Sequence, residues 1–323
     1  MKAAVIQNFG EIPQCEEFPD PVVESDDEVL VNVKAVALEN AIRVVASGTH
    51  YASRQMMPQL PAIIGFSGIG ELDGQLISIR GIRPPYGSIA EWAIVTKATA
   101  IPISEGIDAV IAAAIPPPAM TSLLPLKTTA KIEPGNAVLV NGATGVAGKL
   151  AVQIAKLLGA GRVIGTGRDD EALSQLTGLG ADSTIDLKQP DDQLAAELQN
   201  EAEQGVDIIL DYLWGHPSEI ILKSLTPQTF SFARRRIRYI EIGGMAGPTI
   251  SLSADALIDS GIELYGTGAG ITPEIITEGT NQVWDFIKND QLHIEIEKVP
   301  LEDIEEAWKR TDLHGTRIVI VPS

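Results

Sequence analysis

The stretch "VLVNGATGVAGKLAVQIAKLLGAGRVIGTGR", residues 138–168, does most to limit what this chain can fold into. An apolar run, "AVLVN", feeds into "GATGVAG" and then into "KLAVQIAKLLGA", where Leu150, Ile154, Leu157 and Leu158 recur at helical spacing. A second apolar run, "RVIGT", follows. Gly142, Gly145 and Gly148 stand three apart between the first run and the helix. Glycine there tightens the turn, lets backbone approach a pyrophosphate and lets the helix pack closely on a sheet. The helix start adds free N–H groups and the positive end of its dipole. Alone this pattern is weak. Set after a strand, before a helix and at the head of more such pairs, it predicts a dinucleotide site.

Those further pairs are present. "STIDL", "VDIILDY", "RYIEIG" and "IELYGTG" alternate with "DDEALSQLTGLGA", "DQLAAELQNEAEQ" and "PSEIILKSL". Strands alternating with helices imply right-handed crossovers and a parallel sheet covered on both faces. The first hundred residues differ: "EVLVNVKAVAL" and "YGSIAEWAIV" have strand-like alternation, broken by Gly and Pro. "DAVIAAAIPPPAMTSLLPL" predicts a short helix, a Pro-rich break and a second helix. Near the end come two helical stretches, "TNQVWDFIKNDQ" and "LEDIEEAWKRTD", and a strand, "RIVIVP". The expected fold class is α/β. A Rossmann-type doubly wound sheet is expected over 116–269, with a β-rich domain over 1–115 completed by 270–323.

A net charge of −19 argues against nucleic acid or an anionic membrane as partner, since either would want a basic face. Arg234, Arg235, Arg236 and Arg238 form the one dense basic run, expected to be a solvated turn before a strand. Cys15 is the sole cysteine, so an internal disulfide and a Cys-rich zinc site are both excluded. "MKAAVIQNFG" lacks a signal-peptide core, and no apolar stretch reaches the roughly 20 residues of a membrane span, so a cytoplasmic location is expected.

An NAD site usually has an acid at the end of the second strand to bind the ribose 2′-hydroxyl. Here "RVIGT" ends without one and Arg168 follows, a guanidinium well shaped for a 2′-phosphate. NADPH is therefore expected over NADH. Asp169 and Asp170 are left to cap the next helix.

The order of these parts resembles the medium-chain dehydrogenase/reductase superfamily, specifically its zinc-independent quinone oxidoreductase branch, which includes enoyl thioester reductases. The resemblance spans the chain: "MKAAVIQNFG", "VLVNVKAVAL", "ASGTHY", "PQLPAIIGFSGIGEL", "YGSIAEWAIV", "NGATGVAG" and "HGTRIVIVP" match successive family segments. It implies that the β-rich domain is GroES-like, that the active cleft lies between the domains, and that the protein forms homodimers joined at the "ISLSADALIDSGIELYGTG" sheet edge. The zinc members' Cys loop falls on "ALEN" and their Gly-His-Glu on "GFS", which offer no Cys or His. His50, His216, His293 and His314 are scattered, so catalytic zinc is not expected.

Carried over position by position, the resemblance implies that Gly142, Ala143, Thr144, Gly145, Val146 and Ala147 cradle the pyrophosphate. It puts Thr166, Gly167 and Arg168 at the adenosine ribose. Thr121 falls near the nicotinamide, Gly243 and Gly244 in the turn beneath it, and Arg317 at a cofactor phosphate. Some positions depart from the family. Glu39 and Ile42 replace an Asn and an Asp near the nicotinamide and are assigned to the substrate pocket. A phosphate-binding lysine falls near Ala172, and an adenine-flanking tyrosine on Leu187.

The expected chemistry is hydride transfer to a quinone or another activated alkene or carbonyl. His50 falls on the tyrosine that donates a proton in enoyl reductases, with Tyr51 beside it, and either could donate here. Tyr212 and Trp214, after "VDIILD", are placed to wall a pocket or to pack between domains. Two other readings stay open: an enoyl thioester reductase, and a non-catalytic NADPH-binding sensor.

Overall fold

Alternating apolar residues in the first hundred positions build an antiparallel sheet. The computed structural model describes residues 1–226, 235–258, 260–268, 270–313 and 315–322. It opens with β1 (Lys2–Ile6), β2 (Gln14–Glu17) and β3 (Glu28–Ala37). Helices α1 (Asn40–Ala46) and α2 (Ser53–Met56) follow. Then come β4 (Ala62–Ile63), β5 (Ser67–Leu72), β6 (Gln75–Arg80), β7 (Trp92–Thr96), β8 (Ile101–Pro102) and α3 (Ala109–Ala114). Strand β3 is central: it pairs antiparallel with both β5 and β7, and its Val31 and Val33 enter a core with Ile77, Ile79, Ile89 and Val95. Each such side chain stabilises by about 1.5–3 kcal/mol.

The chain then changes architecture. Helix α4 (Pro116–Thr128) begins on the three prolines that the sequence suggested would break the structure. At a helix start the missing proline N–H costs nothing and the fixed φ helps. Next come β9 (Ala137–Asn141), α5 (Val146–Leu157), β10 (Arg162–Gly167), α6 (Asp170–Leu176), β11 (Ser183–Asp186) and α7 (Asp191–Gln204). They are followed by β12 (Ile208–Asp211), α8 (Gly215–Leu225), β13 (Ile237–Glu241), α9 (Ala254–Ile258), β14 (Ile262–Gly266) and α10 (Pro273–Lys288). The strands form one parallel sheet in the order β11-β10-β9-β12-β13-β14. This is the doubly wound Rossmann arrangement. The chain starts at the centre with β9, winds out to β11, then crosses back to β12, and ligands bind such sheets outside the strand carboxyl ends at that reversal. β9 and β12 are buried along their whole length, which is why they read as unbroken apolar runs.

Finally β15 (Ile296–Pro300), α11 (Ile304–Lys309) and β16 (Arg317–Val321) rejoin the first sheet, β16 lying parallel to β15 and antiparallel to β3. The two compact units are Met1–Pro116 with Glu295–Ser323, and Pro117–Ile294. Helix α10 stays with the second unit, where a Cβ on Gly279 would press on Leu124 and Met120 of α4, at 2.8 and 2.9 Å.

Candidate functional site

The three glycines of the opening motif have three different reasons. Gly142 has φ +88°, and a Cβ there would also meet Leu213 at 2.9 Å. Gly148 brings α5 against the end of β9: a Cβ would strike the Gly142 carbonyl and come within 2.6 Å of the Ala143 Cα. Gly145 has neither constraint. Its φ is −76°, and the nearest atom to a Cβ would be the Gly142 oxygen at 3.8 Å. The protein itself does not need glycine at 145, but a group approaching from outside would. Gly145 is also the N-cap of the twelve-residue α5, and no side chain among the described residues caps that helix. The first-turn N–H groups and the dipole are thus offered outward, which suits a pyrophosphate.

The turn is held by a buried polar network. Thr166 Oγ1 donates to Asn141 Oδ1 at 2.7 Å and accepts from the Gly142 N–H at 3.1 Å. Its hydroxyl is committed on both sides, so Thr166 fixes the strand–turn junction rather than reaching a ribose. Ala143 is likewise internal, its N–H donating to the Thr166 carbonyl at 2.8 Å. Asn141 passes the network on, its Nδ2 donating to Asp211 Oδ1 at 2.7 Å. The same oxygen accepts from the Leu213 and Trp214 N–H groups at 2.9 and 3.1 Å. Asp211 Oδ2 accepts from Ser218 Oγ and Tyr239 OH, both at 2.5 Å.

Fully buried Asp211 therefore joins β9, β12, α8 and β13, and it holds Trp214 at φ +53°. A left-handed bulky residue costs roughly 1–3 kcal/mol and persists only where its surroundings over-determine it. Sequence reading missed Asp211, Asn141 and Ser218. The signal available was a lone polar residue closing each of two apolar runs, "VLVN" and "IILD".

At the far end of the site Gly167 faces Thr144, and Arg168 is exposed with no ion-pair or hydrogen-bond partner among the described residues. Asp169 caps α6 by accepting from the Ala172 N–H at 2.8 Å. Lys188 follows the end of β11, beside Arg168, because the Leu187 N–H donates to the Gly167 carbonyl at 2.7 Å. Its ammonium pairs with exposed Asp170 at 2.8 Å. A basic residue at that place was not foreseen.

Thr121 and Tyr212 are brought together. The Thr121 hydroxyl donates to the Pro118 carbonyl at 2.7 Å, so the Tyr212 hydroxyl, 3.2 Å away, is the donor between them. Burial pushes the Tyr212 phenol up to about 12, which leaves it a structural donor rather than an acid. Trp214, partly buried, packs edge-on to Tyr239 with ring centroids 6.3 Å apart, against the core of this unit. Gly243 follows β13 closely, its N–H donating to the Asp211 carbonyl at 3.2 Å, and Gly244 lies beyond it.

The remaining candidates belong to the first unit. Ile42 is a core residue there, packed with Val36, Leu38 and Val45. Glu39 begins α1 beside Arg317, as the Leu38 N–H bond to the Ile318 carbonyl dictates. Burial pushes the Glu39 carboxyl up and the Arg317 guanidinium down, and Arg317 Nε is buried without a partner among the described residues. Arg317 is thus not a solvated strand residue. His50 Nδ1 accepts from the Ala52 N–H at 3.2 Å, which leaves Nε2 to carry the proton. Its ring lies 4.4 Å from that of Tyr51, which is 95% exposed.

Elsewhere, Arg236 and Arg238 are tied to Glu263 Oε1 at 2.5 Å and to the Ala130 carbonyl at 2.6 Å, while Arg234 and His314 lie outside the described residues. Among the described residues no group of three or more His, Cys, Asp or Glu is placed to hold a metal, and no helix is long and apolar enough to cross a membrane.

The profile of the zinc-binding dehydrogenase family matches residues 147–289. A probable NADPH-dependent quinone reductase, tdiC, of Emericella nidulans is 25% identical over 100% of both chains. The quinone oxidoreductase of Sus scrofa is 29% identical over 59% of each. Among solved structures, the quinone oxidoreductase of Thermus thermophilus, whose complex with NADPH was also determined, aligns with TM-score 0.79 and 25% identity. That alignment covers 99% of this chain and 100% of the other.

Proposed function

The chain belongs to the medium-chain dehydrogenase/reductase superfamily, in its quinone oxidoreductase-like branch, and from that premise we propose that it is an NADPH-dependent, zinc-independent oxidoreductase. Its acceptor is a quinone or another activated alkene or carbonyl. The observation that carries this reading is Gly145, a glycine the fold does not require, at the head of an uncapped helix beside the turn of Gly142 and Gly148.

NADPH, when bound, supplies the hydride. The N–H groups of Val146 and Ala147 and the space over Gly145 hold its pyrophosphate, with Thr144 alongside. Arg168, free of internal partners among the described residues, takes the 2′-phosphate. In this reading Thr121 and the Gly243–Gly244 turn form the nicotinamide end of the site. His50 Nε2 and the Tyr51 hydroxyl are the donors to the reduced product, whose negative charge needs a proton or a hydrogen bond. Zinc-independence is supported by the donor set, since Cys15 is the single cysteine and Phe66 stands in the "GFS" segment. A homodimer is supported by β14, a terminal strand of the parallel sheet whose Leu264 is exposed.

The direct test follows NADPH absorbance against quinones, enones and one enoyl thioester, with NADH in parallel. Turnover of quinones or enones with NADPH is expected. Turnover of the thioester alone would favour the enoyl reductase, and binding without turnover the sensor. Arg168→Ala should weaken NADPH about tenfold or more and leave NADH unchanged, measured by nucleotide fluorescence. Equal losses for both would remove Arg168 from the 2′-phosphate.

A further inference from the structure

One titratable group at the strand ends has no part in this scheme. Glu241 closes β13 in register with Asp211, at the carboxyl edge of the sheet and two residues before Gly243. Its side chain is half-buried, and Oε2 is fully buried with no hydrogen-bond partner among the described residues. The groups around it explain why. Asp211, from β12, has both oxygens filled by five donors, so it can offer Glu241 only repulsion. Tyr239, on its own strand, turns its hydroxyl to Asp211. The neighbour on β14 is Gly266, which brings no charge, and α8 contributes Ser218, already bonded to Asp211. Burial first, and Asp211 second, push the Glu241 carboxyl up to about 7. A buried carboxyl oxygen without a partner is destabilising, and a bound group can relieve it.

We propose that Glu241 makes recognition of the oxidised cofactor proton-linked. It keeps its proton while the strand ends face the uncharged reduced ring, and releases it to solvent when the positively charged oxidised ring lies there. A cation within a few ångströms favours the ionised carboxylate, whereas the reduced ring offers no such gain. Ionised Glu241 therefore holds the oxidised product, and protonated Glu241 lets it go. This rests on the cofactor reading above.

The experiment measures binding of NADP⁺ and NADPH from pH 6 to 8 by calorimetry, in buffers of different ionisation enthalpy. Both nucleotides carry the same 2′-phosphate, so its titration cancels in the comparison. NADP⁺ is expected to bind with release of part of a proton and to tighten about fivefold over this range relative to NADPH, within the tenfold limit that one unit of pKa shift sets. In Glu241→Gln the two nucleotides should show the same pH dependence. Proton release equal for both nucleotides in the wild type, or unchanged in E241Q, would overturn the proposal while leaving the cofactor reading intact. Failure of either nucleotide to bind would overturn both.

The melting temperature of the free protein gives a second readout. Glu241 has its pKa raised in the fold, so its contribution is complete below about 4.5 and is lost as pH rises toward about 7. The wild type should lose melting temperature across that window by more than E241Q does. Identical slopes would mean that Glu241 does not titrate there.

Discussion

Asp211→Ala lowers the stability of the second unit by about 3–5 kcal/mol, read from urea unfolding followed by tryptophan fluorescence. The size follows from what the substitution strands. Asn141 Nδ2, the Ser218 and Tyr239 hydroxyls and two backbone N–H groups all lose their acceptor, and the three side chains are buried. Each unsatisfied buried group costs about 1–3 kcal/mol, partly offset where water enters the space left behind. The left-handed backbone at Trp214 loses its anchor at the same time. Asp211→Asn should cost less. Its carbonyl keeps the Asn141 and backbone bonds, and its amide donates to hydroxyls that can rotate to accept. A loss below about 1 kcal/mol for the alanine variant would mean that the network is not what holds the strand ends together.

The second large effect separates fold from ligand within one motif. Gly145→Ala should melt within a degree or two of the wild type, because a Cβ there meets nothing closer than 3.8 Å. Its NADPH dissociation constant should rise tenfold or more, since the methyl occupies the path of the pyrophosphate. Gly148→Ala should do the reverse in order of cause. Its Cβ collides with the backbone of Gly142 and Ala143, so α5 must move off β9 and both stability and binding fall together. Unchanged NADPH affinity in G145A would remove the phosphate from this turn. A melting temperature that drops as far as in G148A would show that Gly145 serves the fold after all.

The parallel sheet was legible because a strand buried on both faces has few polar residues to confuse it with anything else, as "AVLVN" and "VDIILD" illustrate. The helix cap at Asp169 was legible for a local reason, a short acid placed next to the first turn it serves. What escaped notice depends on partners distant in sequence. Nothing near Asp211 in the chain announces Asn141 or Tyr239, and the commitment of Thr166 to Asn141 appears only when β10 lies beside β9. Ile42 carries no local sign that its side chain enters the core rather than a pocket. The three prolines misled for a different reason: the same residue that ends a helix from inside begins one from outside.

The first sheet is sewn together from chain segments made at very different times. Strand β16 lies between β15 and β3, yet it is translated after every strand and helix of the second unit. On the ribosome, the second unit is one continuous segment and can close its core as soon as it emerges, whereas the end of β3, at Val36 and Ala37, waits without its partner strand until β16 arrives. An unpaired strand edge is a template for wrong partners. The second unit is thus born ready, and the period of greatest exposure to misassembly belongs to the first.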